Sequence, residues 1–140
     1  MGTKQAEVKD MALMPADFQK TVEATLIQHQ SIVDILSKGQ EASAKVNRAV
    51  TKAVTKCGCL EIHAVRPEIP PDATLSDLKQ LLHHHLSGEL CADCREMIEA
   101  ELGKQVFYLA ALCNALGLSV QDILAREQDK LNTLTIFNLR

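Results

Sequence analysis

The chain has 140 residues, 46% of them hydrophobic and 24% charged, with 3% aromatic and no Trp. It is long enough to bury a core and too apolar for a disordered chain, and charges break its apolar runs well short of membrane-spanning length. A net charge of −3 speaks against a general nucleic-acid binder, and no basic n-region followed by an apolar h-region opens the chain, so the cytoplasm is the expected location.

Abundant Ala and Leu beside one Tyr and three Phe predict an all-α protein. The expected form is an antiparallel helical bundle of about four to five helices around an aliphatic core. Residues 1–14 read as a flexible N-terminus and 15–140 as a single helical domain. Pro15 opens a helix predicted over 15–38, in which Val22, Leu26, His29, Val33 and Leu36 recur at helical spacing up to a stop at Gly39. A second helix is predicted over 40–56. Val46, Ala49, Val50, Ala53 and Val54 form one of its faces, and Lys45, Arg48, Lys52 and Lys56 another. Between Lys38 and Lys56 the only acid is Glu41; the local balance is +4, which leaves about −7 for the rest of the chain.

From Cys57 to Pro71 the prolines exclude a helix and predict an extended linker or short strand. Thr74 or Ser76 caps a short helix expected to end near Ser87-Gly88, with His83, His84 and His85 closing it. The strongest helix spans 91–116, with an apolar stripe of Ile98, Leu102, Val106, Leu109, Cys113 and Leu116 widened by Met97, Tyr108 and Leu112. Gly117 stops it, and Ser119 with Asp122 caps a last helix to about Leu131. Ile136, Phe137 and Leu139 make the tail too apolar to be left free in water.

The chemistry-bearing residues centre on four cysteines in two close pairs, Cys57-Gly58-Cys59 and Cys91-Ala92-Asp93-Cys94. Two such pairs complete a tetrahedral S4 shell for zinc, and the start of the helix at Cys91 favours thiolates. An iron–sulfur cluster uses the same thiolates, a redox pair at Cys91/Cys94 is a further alternative, and small apolar residues at helix ends are the plain one. His85 can replace a cysteine in a Cys3His shell, and His63 can serve beside Cys59. Both have simpler readings: His85 belongs to a solvated helix end, and His29 is a core histidine on the first helix. Cys113 reads as core.

Glu96 and Glu99 are neighbours on one helix surface and suit a shared Mg²⁺, while Glu101 flanks the apolar stripe and needs a partner, either a metal or a local contact to Lys104 or Gln105. Lys45, Arg48 and Lys52 are candidate phosphate contacts; they also suit an acidic partner, including the acidic helix of another protomer. There is no Gly-rich phosphate loop, and no aromatics interleave the basic stripe for base stacking.

Glu101-Leu102-Gly103-Lys104-Gln105-Val106-Phe107-Tyr108-Leu109, followed by Leu116-Gly117-Leu118-Ser119-Val120-Gln121-Asp122-Ile123-Leu124, resembles the MazG-like all-α nucleoside triphosphate pyrophosphohydrolases. Their third core helix reads E-L-[AG]-D-V-x-x-Y-L, then a Leu-Gly turn and a helix rich in lysine and asparagine, a plan that Gly117, Lys130 and Asn132 follow. The resemblance implies Mg²⁺ held by an E-x-x-E pair on one helix and an E-x-x-D pair on the next. Glu101 matches the first acid of the second pair, Lys104 stands at the Asp position, and the basic helix offers only Glu41. Glu96-Met97-Ile98-Glu99 spells E-x-x-E on the same helix as Glu101. The resemblance thus implies the fold with Mg²⁺ chemistry lost, and the four cysteines lie outside the family's pattern. The stretch His85 to Arg95 is similar to the His…C-x-x-C-R segment of zinc anti-sigma factors, with a longer His–Cys spacing.

Two classes of function follow as expectations. One is a helical domain, MazG-like and degenerate, or still an active pyrophosphohydrolase if Glu96, Glu99 and Glu101 gather Mg²⁺ on a nucleotide. The other is a zinc- or redox-responsive module that binds a partner through its basic face. Short helices with many apolar faces predict a homo-oligomer in either case.

Overall fold

The computed structural model describes residues 12–27 and 30–134. Five α-helices and two three-residue strands follow in the order α1 (Pro15–Thr25), α2 (Ile32–Lys52), β1 (Leu60–Ile62), α3 (Leu75–Leu81), β2 (Leu86–Gly88), α4 (Ala92–Leu116) and α5 (Val120–Thr133). A single π-helical turn, Ala53–Cys57, extends α2. The all-α expectation holds. Among the described residues no single helix is long and apolar enough to cross a membrane.

The two long helices α2 and α4 pack antiparallel. Ile35 near the start of α2 shares a cluster with Ala110, Ala111 and Cys113, whereas Ala49 and Ala53 at its end share one with Ile98 and Leu60. The core is small: Val22 is the largest side chain to be fully buried. Alanines at Ala42, Ala49, Ala53, Ala110 and Ala111 let backbones approach closely, and dispersion contacts at that range replace what bulk would supply.

Two predicted boundaries move. The first helix ends at Leu26, well before Gly39, and α2 runs straight through Gly39. A helical glycine costs about 1 kcal/mol, which the packing of α2 along α4 offsets. The break at 26–31 lets α1 fold back, so that Val22 and Ile35 meet the same alanines of α4. His29 lies outside the described residues, as do Ile136, Phe137 and Leu139 of the tail. The third predicted helix is also shorter. Thr74 caps α3 through a reciprocal box with Asp77, but the helix stops at Leu81, and 86–88 form a strand instead of a helix end.

The predicted stripe on α4 divides. Ile98 and Cys113 are buried, but Leu102, Val106, Leu109 and Leu116 are exposed. The side turned to α2 carries Ile98 with half-buried Glu101, Gln105, Tyr108 and Leu112, one residue or two round the helix from the stripe. Close approach of alanines on α2 selected that side, because bulky leucines there would hold the helices apart.

Gln19 ties α1 to the α4–α5 turn. Its amide donates to Asn114 Oδ1 (2.9 Å) and to the Leu118 carbonyl (2.7 Å), and its Oε1 accepts from Val120 N–H (2.9 Å). The turn itself is a Schellman closure, with Leu118 N–H on Cys113 O and Gly117 N–H on Asn114 O. Ser119 then caps α5 through Asp122 N–H, as its position predicts.

Candidate metal centre

The four paired cysteines come together although 34 residues separate Cys57 from Cys91. Cys57 is the last residue of the π turn that ends α2. Gly58 follows in the left-handed region (φ 76°), its N–H on Ala53 O, and reverses the chain so that Cys59 returns toward α2, its Sγ 3.7 Å from Ala53 O. Cys91 is the N-cap of α4 and its Sγ accepts from Cys94 N–H at 3.4 Å. One pair therefore ends a long helix and the other begins one, and antiparallel packing places those ends side by side.

The strands set the register between the pairs. β1 and β2 are antiparallel, with Leu60 opposite Gly88, Glu61 opposite Ser87 and Ile62 opposite Leu86, extended by His63 N–H on His85 O at 2.8 Å. Gly88 has φ 85°, and a Cβ there would lie 2.3 Å from the Cys59 carbonyl oxygen. Only glycine allows the chain before Cys91 to lie this close to Cys59. Leu60, Ala49, Ala53 and Ile98 form the apolar floor, with Cys59, Leu90 and Cys94 half-buried against it.

All four Sγ atoms lie within 4.8 Å of one another, and no residue other than these cysteines joins the group. Cys57 Sγ and Cys91 Sγ are 3.7 Å apart. A disulfide needs about 2.05 Å, and all five cysteines are free thiols. A tetrahedron of sulfurs about 2.3 Å from a central zinc has edges of about 3.8 Å, so the spacing is that of a mononuclear site.

Electrostatics agree. The Cys94 N–H, then the Cys94 and Cys57 thiols, lower the Cys91 thiol to about 7. The adjacent Cys91 sulfur raises Cys94, and burial adds to it. The Cys59 N–H draws the Cys57 thiol down, but the Cys91 sulfur and burial leave it above its ordinary value. The cluster accepts one negative charge easily and resists more, a resistance that a divalent cation removes.

Other candidate residues are placed differently. His85 stays outside the sulfur group; its φ is 60° and its Nδ1 is buried with no partner among the described residues. The three histidines do not close a helix: His83 and His84 Nδ1 accept the N–H groups of His85 and Leu86 (3.2 and 3.0 Å). His63 pairs with Glu61 at 2.9 Å instead of a cysteine, and Cys113 is core, as expected. Glu96 and Glu99 are exposed, and their carboxylates do not gather with that of Glu101. Glu101 is mostly buried, with Oε1 3.7 Å from Lys104 Nζ and Oε2 without a partner among the described residues.

The basic stripe also divides. Lys45 and Lys38 both hold Glu41, at 3.0 and 3.1 Å, and these three line a shallow cavity of about 200 Å³ between α2 and α4 with Ala42, Lys104 and Tyr108. Arg48 and Lys52 are exposed and lie outside it. Sequence reasoning missed Lys38 and Lys104 as cavity residues and Gly88 as a support of the sulfur site. A lone glycine three residues before a cysteine pair is the signal that could have found Gly88. No known protein family, curated protein or solved structure matches the chain.

Proposed function

We propose that this chain is a helical scaffold module whose cysteine quartet holds a structural zinc ion, on a divergent MazG-like plan that has lost Mg²⁺-dependent pyrophosphohydrolysis. The observation that carries the metal is the sulfur geometry: four thiols within 4.8 Å of one another, one pair at 3.7 Å. That space admits one ion at bonding distance from each sulfur but not a cluster of irons with bridging sulfides between them. An all-thiolate tetrahedron with no open position is the pattern of structural zinc. Its role here is mechanical. Cys57 and Cys59 close the end of α2, Cys91 and Cys94 the start of α4, and the ion pins the two where the apolar floor is smallest.

The loss of hydrolysis is supported by the α2–α4 cavity. Mg²⁺ on phosphate needs convergent carboxylates. Here Lys38 stands three residues before Glu41 and Lys104 three after Glu101, and each lysine is ion-paired to its glutamate. Where the resembled family gathers four acids, this chain has two acids and two ammonium groups, with Lys45 as a third.

Elemental analysis of protein purified without added metal, beside a Cys91→Ser/Cys94→Ser variant, tests the reading. About one zinc per chain, lost in the variant, is expected. Bound iron with sulfide, or a folded chain with no metal, overturns it. Pyrophosphate release from nucleoside triphosphates with Mg²⁺, abolished by Glu101→Gln, overturns the second half alone.

A further inference from the structure

The surface of α2 and α4 that faces away from the lysine cavity is largely apolar and uncovered. On α2, Ile32, Leu36, Gly39, Ser43, Val46 and Val50 follow one another at alternating steps of four and three; Ile32, Leu36 and Ser43 are exposed, and Val46 and Val50 half-buried. The row is apolar at both ends, and its middle is made of two small residues, Gly39 and Ser43. On α4, Leu102, Val106 and Leu109 repeat the same spacing and are 42%, 48% and 53% exposed. At about 100° per residue, each row sits roughly 70–90° round its helix from the residues that join α2 to α4, in the same rotational sense. Because the helices are antiparallel, equal senses put both rows on one side. Lys38, Lys45, Lys104 and Tyr108 lie on the other side, around their cavity.

The amount of surface says that this side is meant to be covered. The chain exposes 11474 Å², whereas a folded monomer of 15.4 kDa exposes about 7,200 Å². Suppose every residue outside the described ranges has the full exposure of an unfolded chain, about 160 Å². The described part then still exceeds a monomer of its size by about 2,000 Å². The extended arm 64–72 takes a share of that excess. What remains matches the roughly 800 Å² or more per partner that a stable interface needs.

We infer that this two-helix face is the docking surface for a second copy of the chain, the two hairpins closing into a four-helix bundle about a twofold axis. A two-helix layer has no other way to bury a second apolar face, and heptad-like rows on both helices suit the shallow crossing of such bundles. A Cβ at Gly39 meets nothing within 4 Å, and the Ser43 side chain one turn on is short. The row thus has open room in its middle for an approaching helix, and the Ser43 hydroxyl can satisfy itself on its own helix's carbonyls when covered. The inference uses none of the cysteines and stands whether or not they hold zinc.

Sedimentation equilibrium of the full chain at tens of micromolar is the test, and twice 15.4 kDa is expected. Val106→Glu/Leu109→Glu should weaken the dimer at least 100-fold while helical circular dichroism and metal content stay at the wild-type level. Leu109→Ala, a milder lesion that cannot unfold the hairpin, should weaken it about tenfold. Met97→Glu, exposed on the opposite side, should leave the mass unchanged. A monomeric wild type overturns the inference, as does a dimer indifferent to Leu109→Ala or one lost equally in Met97→Glu. A monomer that dimerises only when the chain is ended at Leu134 would overturn it too, by assigning the face to the chain's own C-terminus.

Discussion

Gly88→Ala tests the idea that the strand pair, and not the cysteines alone, builds the metal centre. The new methyl carbon would lie 2.3 Å from the Cys59 carbonyl oxygen and 3.6 Å from Leu60 Cα. Both are backbone atoms, so no side chain can swing aside. A positive φ costs an L-residue about 1–2 kcal/mol, and the overlap adds about 1–3 kcal/mol as an overpacked contact. The strands can only relieve it by parting, which moves Cys59 away from Cys91 and Cys94. A loss of about 2–4 kcal/mol should appear as a melting point roughly 6–12 °C lower for a chain of this size. About 2 kcal/mol of it felt at the metal corresponds to zinc affinity some 30-fold weaker, read by competition with a chromophoric chelator. Gly58→Ala is the control: its φ of 76° carries the backbone cost, but nothing lies within 4 Å of the added carbon, so about 1–2 kcal/mol is expected. If Gly88→Ala costs no more than Gly58→Ala and binds zinc as the wild type does, the strand pair does not position the sulfurs.

Stripping the metal with a chelator should lower the melting point by about 10 °C or more, with re-added zinc restoring it, because binding free energy of a structural ion is folding free energy; a melt unchanged on chelation would show that the helices need no pin. In the metal-free chain Cys91 should be alkylated first among the four. Its thiol sits below the ordinary range, near 7, so the reactive thiolate is present above that pH and its labelling rate falls as pH drops through it; peptide mass mapping reads the order, and Cys94 reacting first would contradict the hydrogen-bond pattern. Gln19→Ala removes two donated bonds and one accepted bond between α1 and the α4–α5 turn. It should cost about 1–3 kcal/mol in urea unfolding, and a change under about 0.5 kcal/mol would mean that apolar contacts alone dock α1.

What was legible from residues alone is what local chemistry decides. Pro15 at a first turn, the Thr74–Asp77 box, Cys91 before a helix, the Gly117 stop and the Ser119 cap all satisfy orphaned backbone groups within a few residues, so each boundary is written where it occurs. The cysteine quartet was legible for a similar reason, since each pair is local and two close pairs leave few alternatives. Tertiary structure alone decided the rest. Gly39 has the look of a stop, but α4 lies alongside and carries the helix through it, while the real break at 26–31 is set by where α1 must turn to reach Ala110 and Ala111. The α4 stripe is periodic on the side that stays open, because alanines on α2 packed closely against the other side. Lys38, Glu41, Lys45, Lys104 and Tyr108 share a cavity only because α2 and α4 run antiparallel at one register, and Gly88 matters only because Cys59 lies across from it. Contacts between residues dozens of positions apart leave no local pattern, and the packing that chooses among equally apolar helix faces is a property of the assembled chain.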